Sequence, residues 1–368
     1  MNRADLAHVA LALVPGVGRA RFDALLGRFG CAEAVLAASQ GELTGVLGVY
    51  TATATAIRQA SLGRAEAVVE RTERLGGQVL LPGDPRFPPR LAEIPEAPLA
   101  LFALGRLELL QREAVAIVGS RFHSRYGARA CRHFAAGLAR AGLVVSSGLA
   151  RGLDAVAHEA ALDAGGDTVG VLGNGLGVIY PAANRALYER VARDGCLLTE
   201  FPPGERPNAG SFPRRNRLIS GLARCTLVVE ARARSGALIT VDCALDQGRE
   251  ALVVPGPITS PLSVGCNRLL RSGAKPALGL DDVLEEYGLA AGEAPQMRIP
   301  ADLSGLERRV LDILAVGDEH ADEIASRLGV TAAEMAAVLT GLEIRGLVMQ
   351  EPGKLFRRAT VLGELVPT

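Results

Sequence analysis

Between Ala114 and about Tyr287, short apolar runs alternate with longer stretches whose apolar residues recur at helical spacing. The apolar runs are Ala114–Val118, Leu143–Ser146, Thr168–Leu172, Cys196–Thr199, Thr226–Val229 and Ala251–Val254. Helical stretches follow at 125–140, 152–164, 184–193, 214–222, 236–247 and 263–272. Runs that are apolar at nearly every position are typical of parallel strands covered on both faces. The alternation predicts a Rossmann-like α/β domain, a doubly wound parallel sheet with right-handed crossovers.

The segment before this domain has a different pattern. Residues 1–78 carry apolar side chains at helical spacing and predict a small all-α domain. Between positions 82 and 89, four prolines interrupt regular structure. Residues 91–110 are expected to form a short, proline-interrupted lead-in to the sheet.

The segment after the domain predicts a linker and a third domain. The linker is an Ala/Gly/Pro-containing stretch without periodicity, and the helical segments 303–314, 321–328 and 331–346 follow it. Thr331 is placed to cap the last of them. A hairpin around Pro352-Gly353 then completes a winged-helix pattern. The expected boundaries are 1–78 for the helical domain, 79–290 for the Rossmann-like domain, 291–302 for the linker and 303–368 for the winged helix.

Composition narrows the possible functions. Lys+Arg and Asp+Glu both number 40, so the net charge is zero and any basic surface must be local. The six cysteines include no C-x-x-C pair, which argues against a zinc site or a disulfide framework and favours a reducing cytoplasm. The N-terminus lacks the apolar segment of a signal peptide, and no long uninterrupted apolar window predicts a membrane span. We therefore expect a cytoplasmic protein without a metal.

Glycine, serine and arginine follow several predicted strands. Parallel sheets bind ligands at the carboxyl ends of their strands, so these loops are candidate sites. The candidates are Gly119, Ser120, Arg121 and Ser124 in the first loop, Gly148 and Arg151 in the second, and Ser235 and Gly236 in the fifth. Together they favour a phosphate-binding surface, although each loop alone could simply be a tight turn. Neither dinucleotide nor P-loop glycine spacing fits, so no cofactor is expected.

The densest local charge lies at the start of the helix predicted at 214–222. Between positions 205 and 234 there are seven arginines, no lysine and two glutamates. The candidates here are Phe212, Arg214, Arg215, Asn216 and Arg217. Cations are unfavourable at a helix N-terminus, so an anionic ligand would relieve their cost; the alternative is a solvated helix face. Phe212 and Tyr126 could stack on bases or pack internally.

No catalytic constellation emerges from the remaining polar residues. His158 falls inside a helix and is expected to be structural, and Asp154 is a first-turn acid favoured by the helix dipole. Glu200 and Glu230 both end strands. They could act as acid and base, but a role in holding backbone N–H groups at the loop corners is favoured. No catalytic residue is therefore proposed from these positions.

Near the N-terminus, Val14-Pro-Gly-Val-Gly-Arg-Ala-Arg lies between two predicted helices. Its glycine-rich turn is typical of a helix-hairpin-helix, which can present backbone N–H groups to a phosphate. Such modules also serve as protein-contact domains, and both alternatives stay open here.

Long, ordered motifs resemble the DprA (Smf) family. They are Ile117-Val-Gly-Ser-Arg, Ser146-Ser-Gly-Leu-Ala-Arg-Gly-Leu-Asp, Ile179-Tyr-Pro, Phe212-Pro-Arg-Arg-Asn-Arg-Leu-Ile-Ser-Gly-Leu, Arg234-Ser-Gly-Ala-Leu-Ile-Thr, Val254-Pro-Gly-Pro and Gly265-Cys-Asn-Arg-Leu-Leu-Arg-Ser-Gly-Ala. The resemblance covers about Pro82 to Tyr287, and the outer parts resemble the family's SAM-like and winged-helix extensions. Where some relatives carry a Gly-Gly-Gly-Leu-Asp turn, this chain has Gly173-Asn-Gly-Leu-Gly, which puts Asn174 at the expected rim of the site.

The resemblance implies a non-enzymatic protein of natural transformation. Such proteins bind incoming single-stranded DNA in a basic pocket, dimerise through the Rossmann-like domain and help load the RecA recombinase. Carried over to this sequence, the phosphate-binding loop falls on Gly119, Ser120, Arg121, Ser124 and Tyr126, and the basic helix on Phe212, Arg214, Arg215, Asn216 and Arg217.

Two other functions are weighed against this one. The first is a nucleotide phosphoribohydrolase-like enzyme on a related Rossmann fold, but the P-G-G-x-G-T-x-x-E signature is missing at Arg234-Ser-Gly-Ala-Leu-Ile-Thr-Val-Asp. The second is a transcription regulator acting through the winged helix. Its third helix carries Arg345 against Glu334 and Glu343, which is a poor composition for reading a major groove. A protein-contact role for that domain is favoured.

Overall fold

The computed structural model describes residues 1–290, 300, 302–351 and 353–358. These residues form two compact units, one made of residues 1–290 and the other of the described residues from 300 onward. Each unit has a buried apolar core of its own.

The first unit begins with six helices around a small apolar core. They are α1 (Arg3–Ala12), α2 (Arg19–Phe29), α3 (Ala32–Ala37), α4 (Gln40–Thr44), α5 (Thr51–Gln59) and α6 (Leu62–Arg74). The turns before α2 and α5 are alike, because Gly16 and Gly48 both have a positive φ, of 86° and 81°. Arg21 donates hydrogen bonds to both glycine carbonyl oxygens, at 2.5 and 2.7 Å. The hairpin predicted before α2 is thus one of a pair, and the sequence reasoning missed its partner.

The rest of the first unit is built on a nine-stranded sheet. Its strands are β1 (Gln78–Leu80), β2 (Leu101–Gly105), β3 (Ala114–Val118), β4 (Val144–Ser147), β5 (Thr168–Val171), β6 (Cys196–Thr199), β7 (Cys225–Val228), β8 (Glu250–Val253) and β9 (Lys275–Pro276). Their spatial order is β1-β2-β6-β5-β4-β3-β7-β8-β9. In this spatial order, each strand from β6 through β3 to β9 pairs with its neighbour in parallel. Strand β2 pairs antiparallel with β6, and β1 pairs antiparallel with β2.

The predicted parallel core is confirmed, and the six predicted strands lie within one residue of their expected ends. Three strands were not predicted: β1, β2 and β9. Strand β2 lies inside the segment expected to be an irregular lead-in. Its prolines lie just before the strand, at Pro95 and Pro98, so they do not interrupt its pairing with β6.

Helices cover both faces of the sheet. They are α7 (Pro89–Ala92), α8 (Arg125–Arg140), α9 (Leu153–Asp163), α10 (Arg185–Asp194), α11 (Ser211–Leu222), α12 (Gly236–Asp246), α13 (Val264–Arg271) and α14 (Leu280–Leu284). Alternate residues of β3 enter different cores, since Val115 and Ile117 pack with α8 and α9, whereas Ala116 and Val118 pack with α11 and α12. Helix α11 begins three residues earlier than predicted, after a turn in which Asn208 Oδ1 accepts from the backbone N–H of Ser211 at 3.0 Å.

The second unit is a winged helix. It contains α15 (Gly305–Val316), β10 (Glu319–His320), α16 (Ala321–Leu328), α17 (Ala332–Ile344), β11 (Val348–Glu351) and β12 (Leu355–Arg358). Strand β12 lies between β10 and β11 in a three-stranded sheet, of which β10 was not predicted. The predicted cap is confirmed, since Thr331 forms a capping box with Glu334 at the start of α17.

Among the helices of the described residues, none is both long and apolar enough to cross a membrane.

Candidate nucleic-acid interface

The order of the strands brings the candidate loops to one edge of the sheet. After β3 the chain moves outward through β4, β5 and β6, then crosses back to β7 on the other side of β3. A crevice forms where the direction of winding reverses, outside the carboxyl ends of the strands. The loops after β3, β4, β5, β6 and β7 all lie at this edge.

The loop after β3 is shaped by its own serines. Ser120 is buried and its Oγ accepts from the Phe122 backbone N–H at 3.2 Å. Ser124 caps α8, and its Oγ donates to Glu230 Oε1 at 2.5 Å. Both hydroxyl groups therefore hold the loop, whereas the Arg121 side chain is exposed and can reach a ligand. Glu230 takes the predicted corner role, since its Oε2 also accepts from the Ser124 backbone N–H at 2.9 Å.

The loop after β4 packs directly against the loop after β3. The Leu153 backbone N–H donates to the Ser120 carbonyl oxygen at 3.1 Å. Gly152 has a φ of 81°, and a Cβ there would collide with the same carbonyl oxygen, so the approach requires glycine. Arg151 is exposed, and no carboxylate among the described residues pairs with it. Arg121 and Arg151 therefore stand on adjoining loops.

Arg215 lies behind these loops and not on their surface. Arg215 is only 4 % exposed. Its Nη1 donates to the carbonyl oxygen of Gly148 at 2.6 Å and to the carbonyl oxygen of Val171. Asp154, also buried, accepts from the Gly148 backbone N–H at 3.2 Å. We expected Arg215 to contact phosphate directly; the structure contradicts this, because the side of α11 that carries Arg215 faces the sheet.

Burial shifts the pKa values of Asp154 and Arg215 in the directions that favour their neutral forms. Burial raises the pKa of Asp154 against the opposing effect of Arg215. Burial also lowers the pKa of Arg215 to about 10, opposed by Asp154. Each group therefore opposes the effect of burial on the other. Together they hold Gly148 in place, because Asp154 accepts from its N–H and Arg215 donates to its carbonyl oxygen.

His158 is structural, as predicted. Its Nδ1 lies 2.6 Å from Thr168 Oγ1, which itself donates to the Val145 carbonyl oxygen at 2.6 Å. Thr168 must then accept from His158 Nδ1–H, which leaves Nε2 to accept from the Leu149 backbone N–H at 3.3 Å. Burial lowers the pKa of His158 to about 3, so the ring is neutral.

Phe212 lies at the centre of the exposed part of the edge. Its ring centroid is 5.6 Å from that of Tyr180, and the Arg121 guanidinium carbon is 5.6 Å from the Phe212 centroid. Phe212 is half-buried and Tyr180 is 47 % exposed. Tyr180 was not chosen as a site residue, although it follows the third predicted strand within the motif Ile179-Tyr-Pro. Tyr126 is different, because its hydroxyl donates to the Pro255 carbonyl oxygen at 2.7 Å and so anchors its loop.

Arg214 and Arg217 share one face of α11, as their spacing predicts, and both contact Glu200. Arg217 Nη2 lies 2.6 Å from Glu200 Oε2 and Arg214 Nη2 lies 3.1 Å from the same oxygen. Glu200 and Arg217 are largely buried, whereas the Arg214 side chain is 57 % exposed. Glu200 therefore does not take the predicted corner role. Arg214 is the member of the predicted basic helix whose guanidinium reaches solvent.

The other predicted residues support the crevice from below. Asn216 is 8 % exposed, and its Nδ2 donates to the Gly236 carbonyl oxygen at 3.3 Å. Ser235 caps α12 by accepting from the Ala237 backbone N–H at 3.3 Å, and Gly236 is exposed. Asn174 is not at the rim, since it is 2 % exposed and donates to the Val178 carbonyl oxygen at 2.7 Å.

The described residues contain no group of three or more His, Cys, Asp or Glu side chains that could hold a metal ion. The groups at this edge that can contact a ligand are instead guanidinium ions, backbone N–H groups at helix starts and aromatic rings. Such a set binds anions and flat ring systems.

Comparison with known proteins identifies the family. The model for DNA recombination-mediator protein A matches residues 78–288, and a DprA winged helix domain model matches residues 293–354. The chain belongs to the DprA/Smf family.

Relatives match over most of their own length. Protein Smf of Escherichia coli is 42% identical over 287 residues, which cover 76% of this chain and 77% of the relative. A putative DNA processing protein DprA of Mycobacterium tuberculosis is 38% identical over 353 residues, 91% of this chain and 90% of the relative.

Two solved structures share the fold. DNA processing protein A from Streptococcus pneumoniae has a TM-score of 0.67 and 34% identity, over 78% of this chain and 98% of that one. The structure of DNA processing protein A from Helicobacter pylori concerns its single-stranded DNA binding mode. It has a TM-score of 0.53 and 28% identity, and the match covers 57% of this chain and 95% of that one.

Proposed function

We propose that this DprA/Smf family member binds single-stranded DNA at the crevice formed by the loops after β3, β4 and β5 and the start of α11. The observation that carries the proposal is the arrangement of Phe212, whose ring centroid lies 5.6 Å from that of Tyr180 and 5.6 Å from the Arg121 guanidinium carbon. An aromatic platform beside an arginine can stack a base and hold the adjoining phosphate.

The charges at this edge suit a strand without a fixed sequence. Arg121 and Arg151 stand on neighbouring loops, Arg214 stands beyond Phe212, and Arg232 and Arg234 are exposed after β7. Neighbouring strands are about 4.8 Å apart, so loops after successive strands can follow a nucleic-acid backbone. Contacts to phosphate and to the faces of bases carry little sequence information, so we expect low sequence preference.

Single-stranded binding is favoured over duplex binding for a geometric reason. A stacking platform can reach the face of a base only when that base is not already stacked inside a helix. The H. pylori relative, whose structure concerns single-stranded DNA binding, supports the same choice.

The wider biological role is also a proposal, and family membership supports it. We propose that the protein protects incoming single-stranded DNA during natural transformation and helps load RecA onto it. An enzyme of the phosphoribohydrolase type is not favoured, because Arg234-Ser-Gly-Ala-Leu-Ile-Thr lacks that group's glycine pair. Glu230 is committed to Ser124, and Glu200 to Arg214 and Arg217.

Fluorescence anisotropy with labelled oligo-dT at graded salt tests DNA binding. We expect binding whose logarithmic affinity falls linearly with the logarithm of salt, with a slope of about −0.7 for each phosphate contacted. A duplex of equal length should compete poorly. Absence of binding at low salt, or equal affinity for the duplex, would contradict the proposal. Detectable release of base from AMP would favour the enzyme.

We also propose that the protein dimerises through the β8–β9 end of the sheet. Ile258 follows β8 and is 92% exposed, and Leu278 follows β9 and is 76% exposed. The two strands that they follow are neighbours, and large apolar side chains exposed at the edge of a sheet are typical of a surface covered by a partner. A second copy fits because most soluble oligomers are symmetric homodimers.

Replacing Ile258 and Leu278 together with aspartate is expected to convert a dimer into a monomer, because charged groups would then be buried at the interface. Light scattering after size-exclusion chromatography measures the mass directly. Leu47→Asp is a matched control, since Leu47 is also 92% exposed but lies in the hairpin before α5. A monomeric wild-type protein, or a dimer that survives the double substitution, would exclude this interface.

The winged helix is proposed to contact protein and not DNA. Arg345, the cation at the end of α17, lies 2.7 Å from Asp302 and 3.7 Å from Glu307, so its charge is already neutralised. The exposed face of α17 carries alanines and Ile344, which cannot pair with phosphate.

A further inference from the structure

A large cleft separates the first hairpin from the start of α11. Its volume is about 780 Å³, within the range of ligand-binding pockets. One wall is the turn 14–18 with the first residues of α2. The opposite wall contains Glu200, Phe201, Arg214 and Arg217. Arg214 also stands two residues from Phe212, so the cleft adjoins the proposed single-stranded DNA site.

The hairpin wall ends in a helix start without a side-chain cap. Gly18 is the N-cap of the eleven-residue helix α2, and no side chain accepts a hydrogen bond from its first turn in the described residues. The N–H groups of Arg19, Ala20 and Arg21 have no acceptor within the helix, and all three residues line the cleft. Arg64 of α6 also lines it and is exposed, with no carboxylate partner among the described residues.

The opposite wall contains buried polar atoms that are not satisfied. Glu200 has a side chain 4% exposed, and its Oε1 accepts no hydrogen bond from the described residues, although Arg214 Nε lies 3.1 Å away. Arg217 Nε and Nη1 are also buried without a hydrogen-bond partner. Buried polar groups are nearly always paired, so these atoms are under-satisfied, although Glu200 forms ion pairs with both Arg214 and Arg217.

The lining of the cleft suits the phosphate of a nucleotide. That phosphate suits the free N–H groups of α2 together with Arg64 and Arg214. Five arginines and three glutamates line the cleft, so its lining carries a net positive charge.

We propose that this cleft binds the continuation of the DNA strand that lies across Phe212, with the first hairpin holding a phosphate of that strand. This rests on the proposed function. It predicts that the N-terminal helices strengthen the binding of long strands and leave short ones unaffected, because a short strand ends before the cleft.

Gly18→Asp tests the hairpin contact without threatening the fold. A Cβ at Gly18 meets nothing within 4 Å, and its φ is −95°, which any residue adopts. Aspartate is a favoured N-cap, so α2 should be preserved while its carboxylate occupies and repels the phosphate site. Gly18→Asn is the matched control, because it offers the same cap without the charge.

Anisotropy with oligo-dT of about 6 and about 20 nucleotides provides the readout. For Gly18→Asp we expect the Kd of the long oligonucleotide to rise about fivefold and its salt slope to lose about 0.7, while the short one changes less than about twofold. Gly18→Asn should match the wild type. Arg64→Gln should act like Gly18→Asp, whereas Arg140→Gln, at the far end of α8, should have no effect.

The outcomes separate the two proposals. If the wild type binds both oligonucleotides but Gly18→Asp and Arg64→Gln bind the long one normally, the cleft inference is wrong and the proposed function stands. Equal weakening for both lengths would place the hairpin at the primary site and also overturn the inference. If the wild type binds neither oligonucleotide, both proposals fail.

Discussion

Replacing Arg215 with alanine will destabilise the first unit by about 3–5 kcal/mol, the usual result of leaving one charge of a buried pair without its partner. Asp154 would remain buried without the opposing charge, and the carbonyl oxygens of Gly148 and Val171 would lose their donor. Unfolding in urea, followed by circular dichroism, should show a midpoint lowered by about 1–2 M.

The deficit of this variant relative to the wild type should depend on pH. Burial already raises the folded-state pKa of Asp154, and removing Arg215 raises it further. A group with a raised folded pKa stabilises the fold below its unfolded pKa and loses that contribution as pH rises through the folded value. The deficit should therefore be smallest in acid, where Asp154 is protonated, and should grow as pH rises toward neutrality.

Two controls distinguish the buried pair from a general loss of charge. Arg215→Lys keeps the charge but loses the planar guanidinium geometry, so it should fall between the alanine variant and the wild type. Arg232→Ala removes an exposed arginine and should change stability by less than about 0.5 kcal/mol. An Arg215→Ala protein as stable as the wild type at neutral pH would refute the supporting role.

The exposed arginines should show the opposite behaviour. We expect replacing Arg121 and Arg151 together with alanine to weaken oligo-dT binding about 30- to 100-fold, since each loses a charged contact to phosphate. The urea midpoint should not change, because both side chains are exposed. Anisotropy at fixed salt gives the affinity.

Arg132→Ala combined with Arg140→Ala provides the control. Both residues are exposed on α8 but lie away from its N-terminal turn, which is the part at the crevice. The pair removes the same total charge, so unchanged binding would show that position and not net charge matters. Equal weakening in both double variants would mean that the crevice does not recognise DNA specifically.

The arginines of α11 show where sequence reasoning succeeds and where it fails. Their spacing correctly predicts that Arg214 and Arg217 share a face. It does not reveal that Arg215 points into the sheet, because an arginine inside an α/β core is rare and needs a buried partner. That partner, Asp154, is 61 positions away in the sequence and comes close only when α9 and α11 pack on opposite sides of the loop after β4.

The same limit applies to the aromatic platform. Phe212 was a candidate because it stands beside the arginines, but Tyr180 was not, since a single tyrosine in a loop carries no local signal. The two rings meet because β5 and β6, the strands that precede Tyr180 and Phe212, are neighbours in the sheet, and Phe212 packs against Gly173 in the loop after β5. Sheet order is a long-range property, and the chain does not encode it in any short segment.

The structure thus divides the candidate phosphate-binding residues into two layers. By itself the sequence determined the parallel α/β core, the helix positions, the winged helix and the family, because hydrophobic periodicity and long motifs are local properties of the chain. Only the tertiary structure decided which polar groups reach solvent. Arg121, Arg151 and Arg214 face the crevice, whereas Ser120, Ser124, Arg215 and Asn216 hold it in shape, since burial and pairing arise only when distant segments pack.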